Sequence, residues 1–310
     1  MRLVTRADFD GLACGVLLRE IGLTDNWLYV HPKDVQDGLV AGDPNDVVAN
    51  LPYIPGCGYW FDHHSSEAER LPEGLSFRGA SREAKSCARV VWEYFGGAAR
   101  FGDRFDGMLR NVDKVDAGEL SAEEIMRPEG WIMLGFIMDP RTGLGYHKEF
   151  AISNYQLMQA LIEHCRTLSI EEILALPDVR ERVERYRAME GEFEEMIRQR
   201  SEVLDNVLLI DLRPQEPIHP GNRFAAYALF PQCDVSVQVM WGRQRRNTVI
   251  SVGHSILRRT CGTDVGGLML RFGGGGHRQV GTCQVGNAQA DGVLGEIVAA
   301  LRRAPVAPAT

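Results

Sequence analysis

Short apolar runs alternate with segments of helical apolar spacing through the first half of the chain, a pattern that predicts a doubly wound α/β domain. Met1 to Thr5 reads as a strand, and Leu12 to Ile21 carries helical spacing. Further strands are expected at Trp27 to Val30, Asp46 to Ala49 and Gly58 to Phe61, each bounded by Pro, Gly or Asn. Helices are expected over Ala84 to Tyr94, Phe105 to Val115 and Ile152 to His164. From Ile170 to Arg200 the pattern is long, charged and helical with few breakers, as in a connecting helix. After Asn206 the character changes to short β-rich runs, Val207 to Leu212, Asp234 to Trp241 and Thr248 to Val252. A helix over Val265 to Arg271 then leads into Gly273-Gly274-Gly275-Gly276-His277, and the Pro- and Ala-rich tail after Ala304 is expected to fray.

The predicted architecture is an N-terminal doubly wound, mainly parallel sheet domain over residues 1–185. A connecting helix over 186–205 joins it to a smaller mixed α/β domain over 206–310. A chain of 310 residues, 45% hydrophobic, is long enough for two cores. No apolar run approaches the roughly 20 residues of a membrane span, and an acidic motif within the first ten residues leaves no room for a signal peptide. A cytoplasmic protein without membrane attachment is expected. Seven scattered cysteines with no C-x-x-C pair indicate neither a disulfide framework nor a structural zinc site. A net charge of -8 argues against binding long duplex nucleic acid, which needs excess Lys and Arg. Short polyanions remain open, because a bound metal reverses the local field.

Two ligand-rich clusters stand at the ends of expected strands. Asp8-Phe9-Asp10-Gly11 follows the first, and a spacing of two sets both carboxylates on one side of an extended chain. Ligands of open α/β sheets bind at the carboxyl ends of strands, and two hard oxygen donors there suit Mg²⁺ or Mn²⁺. A plain acidic turn is the competing reading. Asp62-His63-His64 ends the run from Gly58, so a second cluster meets the same crevice. Adjacent histidines on extended backbone cannot point the same way, so one is expected to bind metal while the other faces substrate. The alternative is a hydrogen-bonded surface pair beside an acid. In Asn111-Val-Asp113-Lys-Val-Asp116-Ala-Gly118, Asp113 and Asp116 share a helix face, and the sequence leaves open which one completes the site.

The ordered set Asp-x-Asp-Gly, Asp-His-His, a later Asp and a C-terminal Gly-Gly-Gly-His resembles the DHH phosphoesterase superfamily, from Val4 to about Val285. Within it the chain looks most like the bacterial exopolyphosphatase-related branch. The resemblance implies one or two Mn²⁺ or Mg²⁺ ions held by Asp8, Asp10, His63 and Asp116, with His64 facing the phosphate and Asp62 orienting the two histidines. It further implies that the backbone of Gly274, Gly275 and Gly276, together with His277, meets the far part of an anionic substrate. His254 and Arg258 are weaker candidates for phosphate contact, and Arg223 and Arg141 are weaker still.

Two departures stand out. Many relatives carry His two residues before the first Asp, where this chain has Arg6, and Asp near the end of the middle strand, where it has Asn50. Asn offers a neutral carbonyl oxygen in the place of a charged ligand, whereas Arg6 has the guanidinium fork for clamping a phosphate. Asp34 or Asp37 could compensate, against a plain loop role. The expected function is a metal-dependent phosphohydrolase acting on a short polyanion: polyphosphate, a short oligonucleotide or a 3'-phosphorylated nucleotide. Self-association into a homodimer is left open. A non-catalytic nucleotide- or phosphate-binding module with a weakened metal site is the alternative that Arg6 and Asn50 raise.

Overall fold

The computed structural model describes residues 1–64, 74–146 and 149–302, so the expected frayed tail lies outside the described residues. Among the described residues, no helix is long and apolar enough to cross a membrane. The chain divides into two units, one of residues 1–119 and 127–187 and one of residues 120–126 and 188–310.

The first unit is built on five parallel strands: β1 (Arg2–Thr5), β2 (Asn26–Tyr29), β3 (Asp46–Ala49), β4 (Tyr59–Asp62) and β5 (Gly79–Ser81). Their order is β2-β1-β3-β4-β5, all pairs parallel. Strands β3 and β4 are buried at every position, as central strands of a two-faced sheet must be. The helices Phe9–Glu20, Cys87–Tyr94, Asp106–Asp116 and Asn154–Thr167 pack together, with the first making contact with each of the others. The opposite core gathers Val4, Val48 and Trp60 with Val35 of the short helix Pro32–Gln36 and with Leu51 and Ile54. Because the strand order reverses at β1, with β2 on one side and β3 on the other, a crevice is expected beyond the carboxyl ends of β1 and β3.

The second unit has a six-stranded mixed sheet in the order β10-β11-β9-β8-β7-β6, in which only β7 and β8 run parallel. Its strands are β6 (Ser201–Leu204), β7 (Val207–Asp211), β8 (Val235–Trp241), β9 (Thr248–His254), β10 (Gly275–His277) and β11 (Val280–Val285). Val235, Val237, Val239, Ile250, Val252, Cys283 and Val285 alternate inward and meet the helices Val265–Leu270 and Ala290–Arg302. On the other face, Leu208 and Ile210 pack with Met196 and Ile197 of the helix Pro177–Gln199.

Several elements depart from the sequence reading, each for a physical reason. The helix expected from Leu12 begins at Phe9, because the Asp8 side chain caps it by accepting from the Gly11 amide. Asp10 therefore sits in the first helical turn, not on extended chain beside Asp8. The run expected to be one helix from Ile170 is two, Ile170–Ala175 and Pro177–Gln199, since Pro177 lacks the N–H to continue the first but suits the start of the second. That second helix ends at Gln199, so Ser201–Leu204 is strand β6 where the connecting helix was expected to run to 205. The helix Gly130–Met138 escaped detection because Gly-Trp-Ile-Met-Leu-Gly-Phe-Ile-Met is apolar on nearly every side and has no amphipathic period.

Candidate active site

The carboxyl ends of β1, β3 and β4 deliver Asp8, Asn50 and Asp62-His63-His64 to one edge of the parallel sheet. Gly11 is required by the first turn of this arrangement. A Cβ there would lie 2.0 Å from the Arg6 carbonyl oxygen, so only glycine lets the helix start against the strand end. Asp10 is 2% exposed. Its Oδ2 accepts from the Cys87 amide at 2.9 Å and its Oδ1 from the Ala88 amide at 2.8 Å. Those amides open the helix Cys87–Tyr94, whose N-terminal dipole favours the charged carboxylate.

His63 Nε2 lies 3.2 Å from Asp116 Oδ2 and 3.7 Å from Asp10 Oδ2. One ligand atom from each of Asp10, His63 and Asp116 falls within 4.8 Å of the others. The other ring nitrogen of His63, Nδ1, is 3.2 Å from the Ala84 carbonyl oxygen, a contact that fixes the ring with Nε2 turned toward the carboxylates. Burial, then the neighbouring charges of Asp116 and Asp8, push the Asp10 pKa well above the ordinary carboxylate range. A cation would relieve that crowding, so the donor set fits a divalent metal.

Asp8 and Asn50 are joined to each other. Asn50 Nδ2 donates to Asp8 Oδ1 at 3.1 Å, and Asp8 Oδ1 also accepts from the Gly11 amide at 3.0 Å. Arg6 Nε pairs with Asp8 Oδ2 at 3.1 Å. Burial raises the Asp8 pKa, with Arg6 opposing it. Asn50 turns its donor, not its carbonyl oxygen, to Asp8, and Arg6 supplies a positive charge at the carboxylate. Asp34 and Asp37 belong to the short helix Pro32–Gln36 or its C-terminal cap, Asp37 pairs with Lys33 at 2.5 Å, and neither is in the group formed by Asp10, His63 and Asp116.

His64 Nδ1 is 2.8 Å from Asp62 Oδ1. Burial opposes charge on His64, but the hydrogen bond and charge of the fully buried Asp62 outweigh it and raise the His64 pKa. Asp62 is bonded to His64, and a backbone carbonyl holds His63, so the two histidines have separate supports.

Asp113 and Asp116 have different partners. Asp113 accepts from Ser86 Oγ at 2.7 Å and from Arg89 at 3.0 and 2.6 Å, which commits it to the N-cap of the helix Cys87–Tyr94. Asp116, one turn on, faces His63.

Sequence reasoning gave Arg141 little weight. Its backbone amide and guanidinium all donate to Asp139, with Nε to Oδ1 at 2.7 Å and Nη2 to Oδ2 at 2.7 Å. Partial desolvation would lower the pKa of this side chain, which is 43% exposed; Asp139, and then Asp8 and Asp116, raise it, so its charge is felt at the same carboxylates. The Asp-Pro-Arg sequence after an apolar helix was its only signal.

In the second unit, the glycine run forms strand β10 and its approach. A Cβ at Gly274 would lie 2.2 Å from the Thr282 carbonyl oxygen, and one at Gly276 2.2 Å from that of Val280. A Cβ at Gly275 would meet only Leu270, at 4.0 Å. His277 pairs with Val280, which pairs in turn with Gly253 next to His254. His254 Nε2 is committed to the Thr263 carbonyl oxygen at 3.0 Å. Arg258 pairs with the buried Asp234 at 2.6 Å, and Arg223 lies over the Phe224 ring.

No family model matches the sequence, and no curated protein sequence matches it. Among solved structures, the chain is similar to the pGpG-specific phosphodiesterase PggH from Vibrio cholerae, with 46% identity over 97% of this chain and 98% of that one and a TM-score of 0.82. The chain belongs to the DHH phosphoesterase superfamily. It is a metal-dependent phosphoester hydrolase, and the reading of a non-catalytic module is set aside. RecJ from Thermus thermophilus, solved with Mn²⁺, shares the fold at 12% identity and a TM-score of 0.52, over 98% of this chain and 53% of that one.

Proposed function

We propose that this DHH phosphoesterase hydrolyses the phosphodiester of a short 5'-phosphorylated dinucleotide of the pGpG class, using Mn²⁺ or Mg²⁺ held by Asp10, His63 and Asp116. The observation that carries the chemistry is the convergence of these three side chains within 4.8 Å. The substrate class rests on the 46% identity to a pGpG-specific enzyme. A divalent ion held by Asp10, His63 and Asp116 would lower the pKa of a water and offset negative charge at the phosphate. His64, positioned by Asp62, faces the phosphate, and Arg141, fixed by Asp139, stabilises its developing charge through a preformed guanidinium. Arg6, by neutralising Asp8, stands in for part of the charge a second cation would carry. All seven cysteines are unpaired thiols, in keeping with a cytoplasmic location. A turnover screen with Mn²⁺ over pGpG, pyrophosphate, polyphosphate and a 3'-phosphorylated nucleotide tests the reading. Preferential cleavage of pGpG supports it, and preference for polyphosphate overturns the substrate class.

Replacing Asn50 by Asp exchanges an amide donor for a carboxylate beside Asp8 and adds one negative charge to a cation site. Calorimetric Mn²⁺ titration of Asn50→Asp is expected to show tighter binding, by about tenfold for each 1.4 kcal/mol gained. Unchanged affinity in the folded variant would remove Asn50 from the ion's surroundings.

In the second unit, Gly275→Ala fits the fold, whereas Gly274→Ala and Gly276→Ala strike backbone. If the amides beside His277 receive the substrate's far end, Gly275→Ala keeps its melting temperature but raises KM for pGpG. His277→Ala is expected to raise KM more for a long substrate than for a minimal ester, because a remote contact helps only substrates that reach it. Unchanged KM in both variants would reduce the run to a structural hairpin.

A further inference from the structure

Tyr29 is the last residue of β2 and lies in register with Thr5, the last residue of β1, so it stands on the same carboxyl edge as Asp8, Asn50 and His63. Its ring stacks on that of Tyr155, with centroids 5.5 Å apart and planes inclined by only 4°. Tyr155 is nevertheless 57% exposed, so the stack ends in an aromatic surface open to solvent. The backbone beneath it is firmly held. Ser153 and Gln156 form a capping box at the start of the helix Asn154–Thr167. The fully buried side chain of Arg182 donates to Asn154 Oδ1 at 3.1 Å and to the Ile152 carbonyl oxygen at 2.6 Å. An aromatic side chain with few rotatable bonds on a fixed helix start offers a flat apolar face at little entropic cost.

We propose that the Tyr29–Tyr155 stack is a nucleobase platform, on whose exposed Tyr155 face one base of a dinucleotide substrate lies. The inference rests on the phosphodiesterase reading above and deepens it. Strands β2 and β4 are separated by β1 and β3, which at a spacing of about 4.8 Å per strand sets Tyr29 and His63 about 14 Å apart along the edge. A ligand bridging them must be longer than a single phosphate unit. Polyphosphate has the length but no flat apolar face to stack. A nucleobase has one, whatever its identity, so the platform selects nucleotides over polyphosphate without choosing among bases.

Binding and turnover separate this inference from the reading it rests on. A 5'-phosphorylated dinucleotide carrying 2-aminopurine loses fluorescence when its base stacks. Quenching is expected with the full-length protein in Mn²⁺, to be lost in Tyr155→Ala and retained in Tyr155→Trp. In parallel, KM for pGpG is expected to rise about tenfold or more in Tyr155→Ala, within the range that base stacking contributes. The preference for pGpG over an abasic counterpart should fall with it. Equal quenching and equal KM in wild type and Tyr155→Ala, with unchanged circular dichroism, would overturn the platform. Quenching by a wild-type protein that turns over neither substrate would retain the platform and sink the phosphodiesterase reading.

Discussion

His63→Ala is expected to yield a folded protein that binds Mn²⁺ weakly and has lost turnover by at least about 10³-fold, since disturbing a residue that only supports a metal ligand already costs about 10- to 100-fold. The side chain offers Nε2 to the space shared with Asp116 and Asp10, at 3.2 and 3.7 Å, so its removal leaves two carboxylates without the imidazole between them. Burial and mutual repulsion already push Asp10 toward its protonated form, and a protonated carboxyl is a poor cation ligand. The fold should survive, because outside the carboxylates the ring is held by a hydrogen bond to the Ala84 carbonyl and by contact with the His64 ring. Asp8→Asn is expected to lose activity in the same way, with the charge that pairs with Arg6 removed. Kinetics on pGpG, metal calorimetry and circular dichroism together decide it. Full turnover by the folded variant, or by metal-stripped wild type, would sink the assignment.

Asp113 and Asp116 lie one turn apart on the same helix and are expected to fail in opposite ways. Asp113→Ala strips two hydrogen bonds from Arg89 and one from Ser86, leaving a guanidinium without its counter-charge at the start of the helix Cys87–Tyr94. Breaking a fully buried pair costs about 3–5 kcal/mol. Arg89 keeps 24% of its side chain exposed, so solvent screens part of the loss and about 2–3 kcal/mol is expected. Because the Cys87 and Ala88 amides of that helix also hold Asp10, a frayed helix start should weaken metal binding secondarily. Asp116→Asn, by contrast, should leave the urea midpoint nearly unchanged while kcat collapses. A stable, inactive Asp113→Ala or an unstable, active Asp116→Asn would reverse the two roles.

The strands β1, β3 and β4 were legible in the chain because each is a short apolar run, the latter two punctuated by Gly or Asn, and local chemistry of that kind acts over a few residues. The same holds for Asp8-Phe9-Asp10-Gly11 and Asp62-His63-His64, whose residue types declare metal and phosphate chemistry wherever the strands end. What sequence by itself left open was decided by contacts between residues far apart in the chain. Asp113 and Asp116 are alike in type and share a helix face; only the packing of the helix Cys87–Tyr94 assigns one to Arg89 and the other to His63. Asn50 reads as a weakened ligand, yet its amide donates to an aspartate 42 residues earlier. Tyr29 and Tyr155 carry no motif, and their stacking exists because parallel strand order brings β2 beside β1 and a helix start above it. Arg141 gains its bearing from Asp139 and from charges at Asp8 and Asp116. Local sequence determines which backbone groups bond to near neighbours and which side chains are capable of chemistry. The direction those side chains face is set by burial and long-range pairing, and that was decided by the tertiary structure alone.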